Sequence, residues 1–401
     1  MKVLFKNARI VLPEAIIDGC VETENGIITA VRRGKADGCA QSIDVHGQYL
    51  CPGFVEIHTH GAGGADFMDG TEEAFLTACR THLQHGTTTI YPTLLAASNE
   101  ELDTAIETFL RVKSRLGEEG ITAPGIHLEG PYLNPEQKGA INEAFIRPPR
   151  RAEYEPFVQK YAGAIARWTI APELNGALEL GDQLNRLGVL VSVGHSNAVY
   201  AQVKEAAEHG FRHVTHLYSA MSTITRKNGF RYAGVLESTF CLPQLTAEII
   251  ADQAANCLIA DGCHLPPELI RMVYTLLGVE RVCFCCDSMR CAGEQVTRSF
   301  LGNPQSGIPV IIEDGVAKLC DRSAFAGSVA TDDRLVRTAV EQAEIPLTDA
   351  VRMMSLTPAQ IMRVDARKGS IAPGKNADFV VLDETLRVSS VYAGARMVWE
   401  N

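Results

Sequence analysis

No apolar run in this chain approaches the roughly 18 residues that a membrane-crossing helix needs. The 12 cysteines form neither a secreted disulfide framework nor a paired Cys-x-x-Cys zinc pattern. Positive charge is scarce: 37 Lys and Arg stand against 48 Asp and Glu, a formal net charge of −11. That balance argues against bulk attraction to nucleic acid or to anionic membrane surfaces. Low-complexity segments and architecture-scale repeats are absent. Met1 to Asn7 has its apolar residues interrupted by Lys6, so no signal-peptide core follows and a cytosolic protein is expected.

What is present is ordinary globular composition, 46% hydrophobic and 21% charged over 401 residues. Such a chain buries enough apolar surface to fold, and its length suits a barrel of about 250 residues plus a smaller module. The first 50 residues read as short strands, with Asp18-Gly19 and Asn25-Gly26 as turn signals. The C-terminal runs Phe379–Leu382, Val388–Tyr392 and Ala395–Trp399 read the same way. We expect residues 1–50 and 370–401 to form one small β-sandwich module around a large α/β domain, residues 51–369.

Within that insert eight short β runs alternate with helical patterns. They are Phe54–Ile57, Thr87–Pro92, Gly125–Leu128, Trp168–Ile170, Val189–Val193, His213–Thr215, Ala247–Ala251 and Val282–Cys286. Thr71 precedes a helical face of Phe75, Cys79 and Leu83; Ser98 with Glu101 is a capping box; Asn197 reads as the cap of a helix running to His209. Eight β runs alternating with helices predict a (β/α)8, TIM-like barrel.

Side chains just past the C-terminal ends of barrel strands converge on one site. Here those positions are polar: His58 and His60, His127 and Glu129, His195, His216 and Asp287. Alternation along a strand puts His58 and His60 on one face. Any one of these histidines reads as a structural group. Together, imidazoles and carboxylates at five strand ends are costly to desolvate unless something pairs them. A divalent cation of the zinc type does so. His127 reads as structural, and the other histidines outside this set receive no role.

The motifs then resemble the N-acetylglucosamine-6-phosphate deacetylase family of the amidohydrolase superfamily. They run in order: Pro52 to Gly61, His127 to Pro135, Lys138-Gly139-Ala140, Gly194 to Ala198, Thr215 to Tyr218, Ala260 to Pro267, Phe325 to Ser328, and Gly369 to Asp378. The resemblance implies that Glu129, His195 and His216 hold the principal metal, zinc by analogy. It implies that Asp287 is the catalytic acid/base. His58 and His60 occupy the pair that holds a second metal in some members. Ala140, Ser219, Ala220, Lys227 and His264 fall at substrate-contacting positions, and Phe325, Ala326 and Gly327 on the loop over the substrate. An amino-sugar phosphate substrate and a homodimer are implied by the same analogy. Arg226, Lys227 and Arg231 cluster after His216 and offer the local positive charge a phosphate needs; a solvated basic loop is the plain alternative.

Four differences from the family pattern stand out. Ile141 replaces the histidine that usually follows Lys-Gly-Ala. Ser219 stands for asparagine, and Lys227 for arginine, which loses the bidentate fork. Ile249 to Asp252 recurs as Leu258 to Asp261, an insertion of about nine residues, judged from the duplicated motif, that can reshape the loop at His264. A related N-acetylhexosamine phosphate therefore stays open as substrate. A cyclic-amide hydrolase of the dihydroorotase or hydantoinase kind also stays open, although the fourth run lacks the lysine such enzymes use. A non-catalytic protein on the same fold should have lost ligands. Cys283, Cys285, Cys286 and Cys291 read as small core residues of the eighth strand.

Overall fold

The computed structural model describes residues 1–35, 41–252, 264–303 and 305–401. The duplicated Leu258 to Asp261 segment lies outside the described residues. The eight β runs become eight parallel strands: β1 (Phe54–Thr59), β2 (Thr87–Leu95), β3 (Ile126–Glu129), β4 (Ile165–Ile170), β5 (Leu190–Val193), β6 (Phe211–Val214), β7 (Thr246–Ile249) and β8 (Val282–Phe284). They pair in sequence order, β1 to β8. Past β8 the ring is drawn together by main-chain bonds: the Asp287 N–H donates to the His58 carbonyl, and the His60 N–H to the Ser288 carbonyl. The structure is therefore the (β/α)8 barrel that the alternation predicts.

Helices follow each strand, among them α1 (Glu72–Gln84), α2 (Asn99–Glu118), α3 (Arg151–Tyr161), α4 (Ala177–Arg186), α5 (Tyr200–Glu208), α6 (Val235–Cys241), α7 (Pro267–Leu277) and α8 (Asp332–Glu341). Local signals fix their starts. Thr71 caps α1 by accepting from the Ala74 N–H, and Ser98 with Glu101 closes the expected capping box of α2. Asn197 does not cap α5. Its carboxamide donates to Glu136 and accepts from Gln137, because those partners lie across the strand-end loops. Burial is as alternation and periodicity dictate: Phe75, Leu76, Cys79 and Leu83 of α1 are all covered.

The chain ends build the second sheet. Strands Lys2–Val11, Ile16–Glu24, Ile27–Arg33, Ser42–Asp44 and Tyr49–Pro52 join Phe379–Leu382, Val388–Ala393 and Arg396–Glu400. Tyr49–Pro52 pairs antiparallel with Phe379–Leu382, so the two termini share a ladder. This sheet has its own core, where Phe5 meets Phe379 and Tyr392 edge to face at 4.9 and 5.0 Å. Among the described residues no helix is long and apolar enough to cross a membrane.

The barrel interior is not wholly apolar. Arg167 of β4 is fully buried and ion-pairs with Glu248 of β7, Nη1 to Oε2 at 2.6 Å and Nη2 to Oε1 at 2.9 Å. Arg167 also donates to Ser192, Thr215 and the Ile57 carbonyl, so every direction of its fork is satisfied. Removing one partner of such a pair leaves an uncompensated buried charge. Arg167→Met is therefore expected to destabilise the fold by about 3–5 kcal/mol, read as a lower urea midpoint; an unchanged midpoint would show that the pair contributes nothing.

Candidate metal centre

Strand ends converge as the alternation requires. Glu129 ends β3, His195 and His216 follow β5 and β6, His58 and His60 lie at the end of β1, and Asp287 follows β8. His195, His216 and Asp287 have φ of 48°, 30° and 44°. Left-handed backbone is unfavourable for these side chains, and here it turns each of them over the barrel mouth.

The Glu129 carboxylate is the hub. Its Oε1 lies 3.2 Å from His195 Nε2 and 3.1 Å from His216 Nε2, which are themselves 3.1 Å apart. Its Oε2 lies 3.2 Å from His60 Nε2. His60 Nε2 is also 3.2 Å from Asp287 Oδ1, and His58 Nε2 stands 3.4 Å from the same oxygen and 3.5 Å from Glu129 Oε1. All six side chains are buried. Two imidazole N–H groups aimed at each other would repel. A tetrahedral shell with bonds of about 2.0–2.1 Å has edges of about 3.3 Å. The His195–His216–Glu129 triangle fits such a shell, and His58, His60 and Glu129 make a second group sharing the same carboxylate.

The neighbours set which ring nitrogen faces inward. His58 Nδ1 is 2.7 Å from Glu248 Oε1, and His195 Nδ1 is 2.7 Å from the Gln137 carbonyl. Both place the ring proton on Nδ1 and leave Nε2 as a lone pair for a cation. Burial disfavours charge on Glu129, but His58, His195 and His216 outweigh it and hold the carboxyl well below its usual range. Burial likewise opposes ionisation of Asp287, and His58 and His60 overcome it. For His60 the desolvation is overridden by Asp287 and Glu129, which raise it to about 9.

A cleft of about 450 Å³ opens over this cluster. Ala140, Ile141, Ser219, Ala220, His264, Phe325 and Gly327 line it, together with Tyr218, Gln137 and Leu301. His264 is held by Asp252, Nδ1 to Oδ2 at 2.9 Å, with its ring 4.7 Å from that of Phe325. Ala326 is buried beneath the loop and does not reach the cleft. Arg226, Lys227 and Arg231 lie on a fully exposed hairpin, Thr225–Lys227 with Phe230–Tyr232, outside the lining. Among the described lining residues none is lysine or arginine. Lys138 turns its cation to Glu143 at 2.6 Å.

His127 spends both ring nitrogens on threonines, 3.1 Å from Thr93 and 2.7 Å from Thr169, and burial with Arg167 keeps it neutral. Glu248 and Arg167 are not among the residues that the sequence alone singles out. Their signal was a charge beside or inside an apolar β run, Arg167 before Trp168 and Glu248 after Ala247.

Comparison with known proteins follows the same line. The amidohydrolase family model matches residues 49–398. The N-acetylglucosamine-6-phosphate deacetylase of Haemophilus influenzae is 31% identical over 381 residues, 94% of this chain and 93% of that one. The N-acetylgalactosamine-6-phosphate deacetylase of Escherichia coli O157:H7 is 28% identical over 379 residues, 92% and 95% of the two chains. A solved mutant of the Mycobacterium smegmatis N-acetyl-D-glucosamine-6-phosphate deacetylase, in complex with N-acetyl-D-glucosamine-6-phosphate, superposes with a TM-score of 0.88 at 29% identity. That superposition covers 99% of each chain.

The Asp252–His264 contact generates a test of its own. Burial lowers the His264 pKa, and the Asp252 charge outweighs it, leaving it raised. Asp252→Asn removes that negative charge. The His264 ring is then expected to titrate at lower pH than in the parent, followed by its imidazole proton resonance; an unmoved titration would show that Asp252 does not hold it.

Proposed function

The chain belongs to the amidohydrolase family and is a hydrolytic enzyme, and on that footing we propose that it removes the acetyl group of an N-acetylhexosamine 6-phosphate. N-acetylglucosamine 6-phosphate is the first choice, and the products are acetate and the amino-sugar phosphate. The observation that carries the reading is the Glu129 carboxylate meeting His195 and His216 at 3.1–3.2 Å on the floor of the cleft, with Asp287 beside it.

In this reading Glu129, His195 and His216 hold the principal divalent cation, and His58 and His60 with Glu129 can hold a second. Imidazole and carboxylate donors without sulfur suit zinc. Such a cation, when bound, supplies a Lewis acid that makes water nucleophilic at neutral pH. Asp287 is ionised by its histidine neighbours, so it can accept a proton from the attacking water. The same carboxyl returns that proton to the departing amine, which otherwise leaves very poorly. His264 lines the same cleft with Nδ1 held by Asp252, and its other ring nitrogen can donate to the oxygen of the tetrahedral carbon. Phe325 and Ile141 add apolar surface to the cleft lining.

The phosphate end needs a cation that the lining does not supply. Arg226 and Arg231 face each other across the exposed hairpin as a like-charged pair, an arrangement that costs energy without an anion between them. Phe230 on the same hairpin is 72% exposed. Both features support a homodimer in which this hairpin reaches the phosphate in a partner's cleft. Two observations weigh on neighbouring readings. β4 contains no lysine, against a cyclic-amide hydrolase with a bridging modified lysine. The galactosamine-phosphate relative keeps the sugar configuration as the open variable.

Acetate release should be measured from protein of known metal content with N-acetylglucosamine 6-phosphate, N-acetylgalactosamine 6-phosphate and unphosphorylated N-acetylglucosamine. Turnover confined to the phosphorylated sugars is expected, and their ratio names the substrate; turnover of none of them would overturn the reading. Asp287→Asn is expected to lose on the order of 10²–10⁴-fold in rate while retaining parental metal content. Parental turnover in that variant would remove Asp287 from the proton path.

A further inference from the structure

A second buried polar cluster lies at the seam where β8 meets β1, behind the site. His82 comes from α1, Cys286 follows β8, and Asp332 is the first residue of α8. All three are buried, and one donor atom from each lies within 4.8 Å of the other two. No hydrogen bond of the mechanism uses the three facing atoms.

Two observations indicate that something is wanted there. First, among the described residues His82 Nδ1 finds no hydrogen-bond partner, and no N–H or hydroxyl group donates to either oxygen of Asp332. The groups that face Asp332 are the Glu56 carboxyl and the Cys286 thiol, which burial holds in their protonated forms and which are its donors when no ion is bound. Glu56 in addition spends its oxygens on the His58 and Cys286 N–H groups. Second, His82 and Asp332 stand apart without closing on each other. Several His–carboxylate pairs close to contact, His58 with Glu248 at 2.7 Å and His85 with Asp333, His209 with Asp182 and His264 with Asp252 each at 2.9 Å, whereas buried His213 stays 3.5 Å from Glu248 and has a threonine on its other ring nitrogen. His82 Nδ1 and Asp332 Oδ2 stay 3.8 Å apart, in one of the most deeply buried pairs. That is too long for a hydrogen bond, and an ion between them would need to draw the two atoms to the roughly 3.3 Å of a tetrahedral N–O edge.

We propose that His82, Cys286 and Asp332 form a thiolate-containing site for a zinc-type divalent cation, separate from the catalytic cluster. Imidazole, thiolate and carboxylate together are the donor set of such an ion. The far ring nitrogen of His82 is already oriented, 2.8 Å from the Thr59 hydroxyl, as is usual for a histidine ligand. Binding releases the thiol proton, and the carboxyl proton where Asp332 carries one, and leaves the three ligands and the ion with no net charge. The ion would tie α1 and α8 to the seam of the barrel, where main-chain pairing between β1 and β8 is sparse.

Cobalt distinguishes this site from the catalytic one, whose ligands carry no sulfur. The protein should be produced in minimal medium with cobalt replacing zinc, so that the ion is present while the chain folds. The expected result is a near-ultraviolet sulfur-to-cobalt charge-transfer band in the parent. It should vanish in Cys286→Ala together with about one ion per chain. His82→Gln gives the same loss from another element, and keeps the test alive if Cys286→Ala folds poorly. Absence of the band in the cobalt-loaded parent, or its survival in Cys286→Ala, would overturn the proposal. Acetate release from the same samples reports the catalytic reading independently.

Discussion

Burying the Glu129 carboxylate is the constraint around which the barrel mouth is arranged. An ionised carboxylate taken out of water needs compensation on both oxygens. Here four imidazoles supply it, His195 and His216 on one oxygen, His60 on the other, and His58 slightly farther away. Four strands must end at one height for those rings to meet. The (β/α)8 ring provides that height, and the left-handed turns after β5, β6 and β8 aim the side chains across it. The same crowding brings the inward ring nitrogens of His195 and His216 to 3.1 Å of each other beside that carboxylate, the donor set of a candidate cation site.

Behind that layer lies a second. The Arg167–Glu248 pair crosses the barrel interior and ends on His58 Nδ1. A neutral interior of leucine and valine would pack as well, but it would leave the His58 ring free to turn and to exchange its tautomer. The ion pair fixes both. Its desolvation cost is offset by five donors from one guanidinium meeting acceptors in β1, β5 and β7 and Thr215 just past β6, and by the His58 contact. The barrel is thus polar along the axis that supports the chemistry and apolar towards the helices.

Legibility from sequence follows the range of the forces. The strands, the α1 and α2 caps and the polar strand ends were readable because period, cap chemistry and strand-end position are local properties. Asn197 misled, since a cap-forming side chain was claimed by Glu136 and Gln137, some 60 residues away in the chain. Arg167 and Glu248 went unread because their meaning lies in a pairing between β4 and β7 that no window of sequence contains. The basic hairpin was legible as charge, yet its distance from the cleft depends on how the loop after β6 folds outward. Ile141 was legible as a departure, and the structure adds that it is a wall of the cleft.

The positive φ values at His195, His216 and Asp287 carry a further consequence. A turn of that hand is normally surrendered to glycine, which these positions cannot accept because their side chains are needed. Direction and chemistry are therefore phase-locked at the strand ends. A one-residue slip upstream would swing the ring to the helix-facing side, since successive strand residues point to opposite faces. The upper rim of the barrel should consequently tolerate changes in loop length only beyond the turn, never before it, whereas the lower connections carry no such clock.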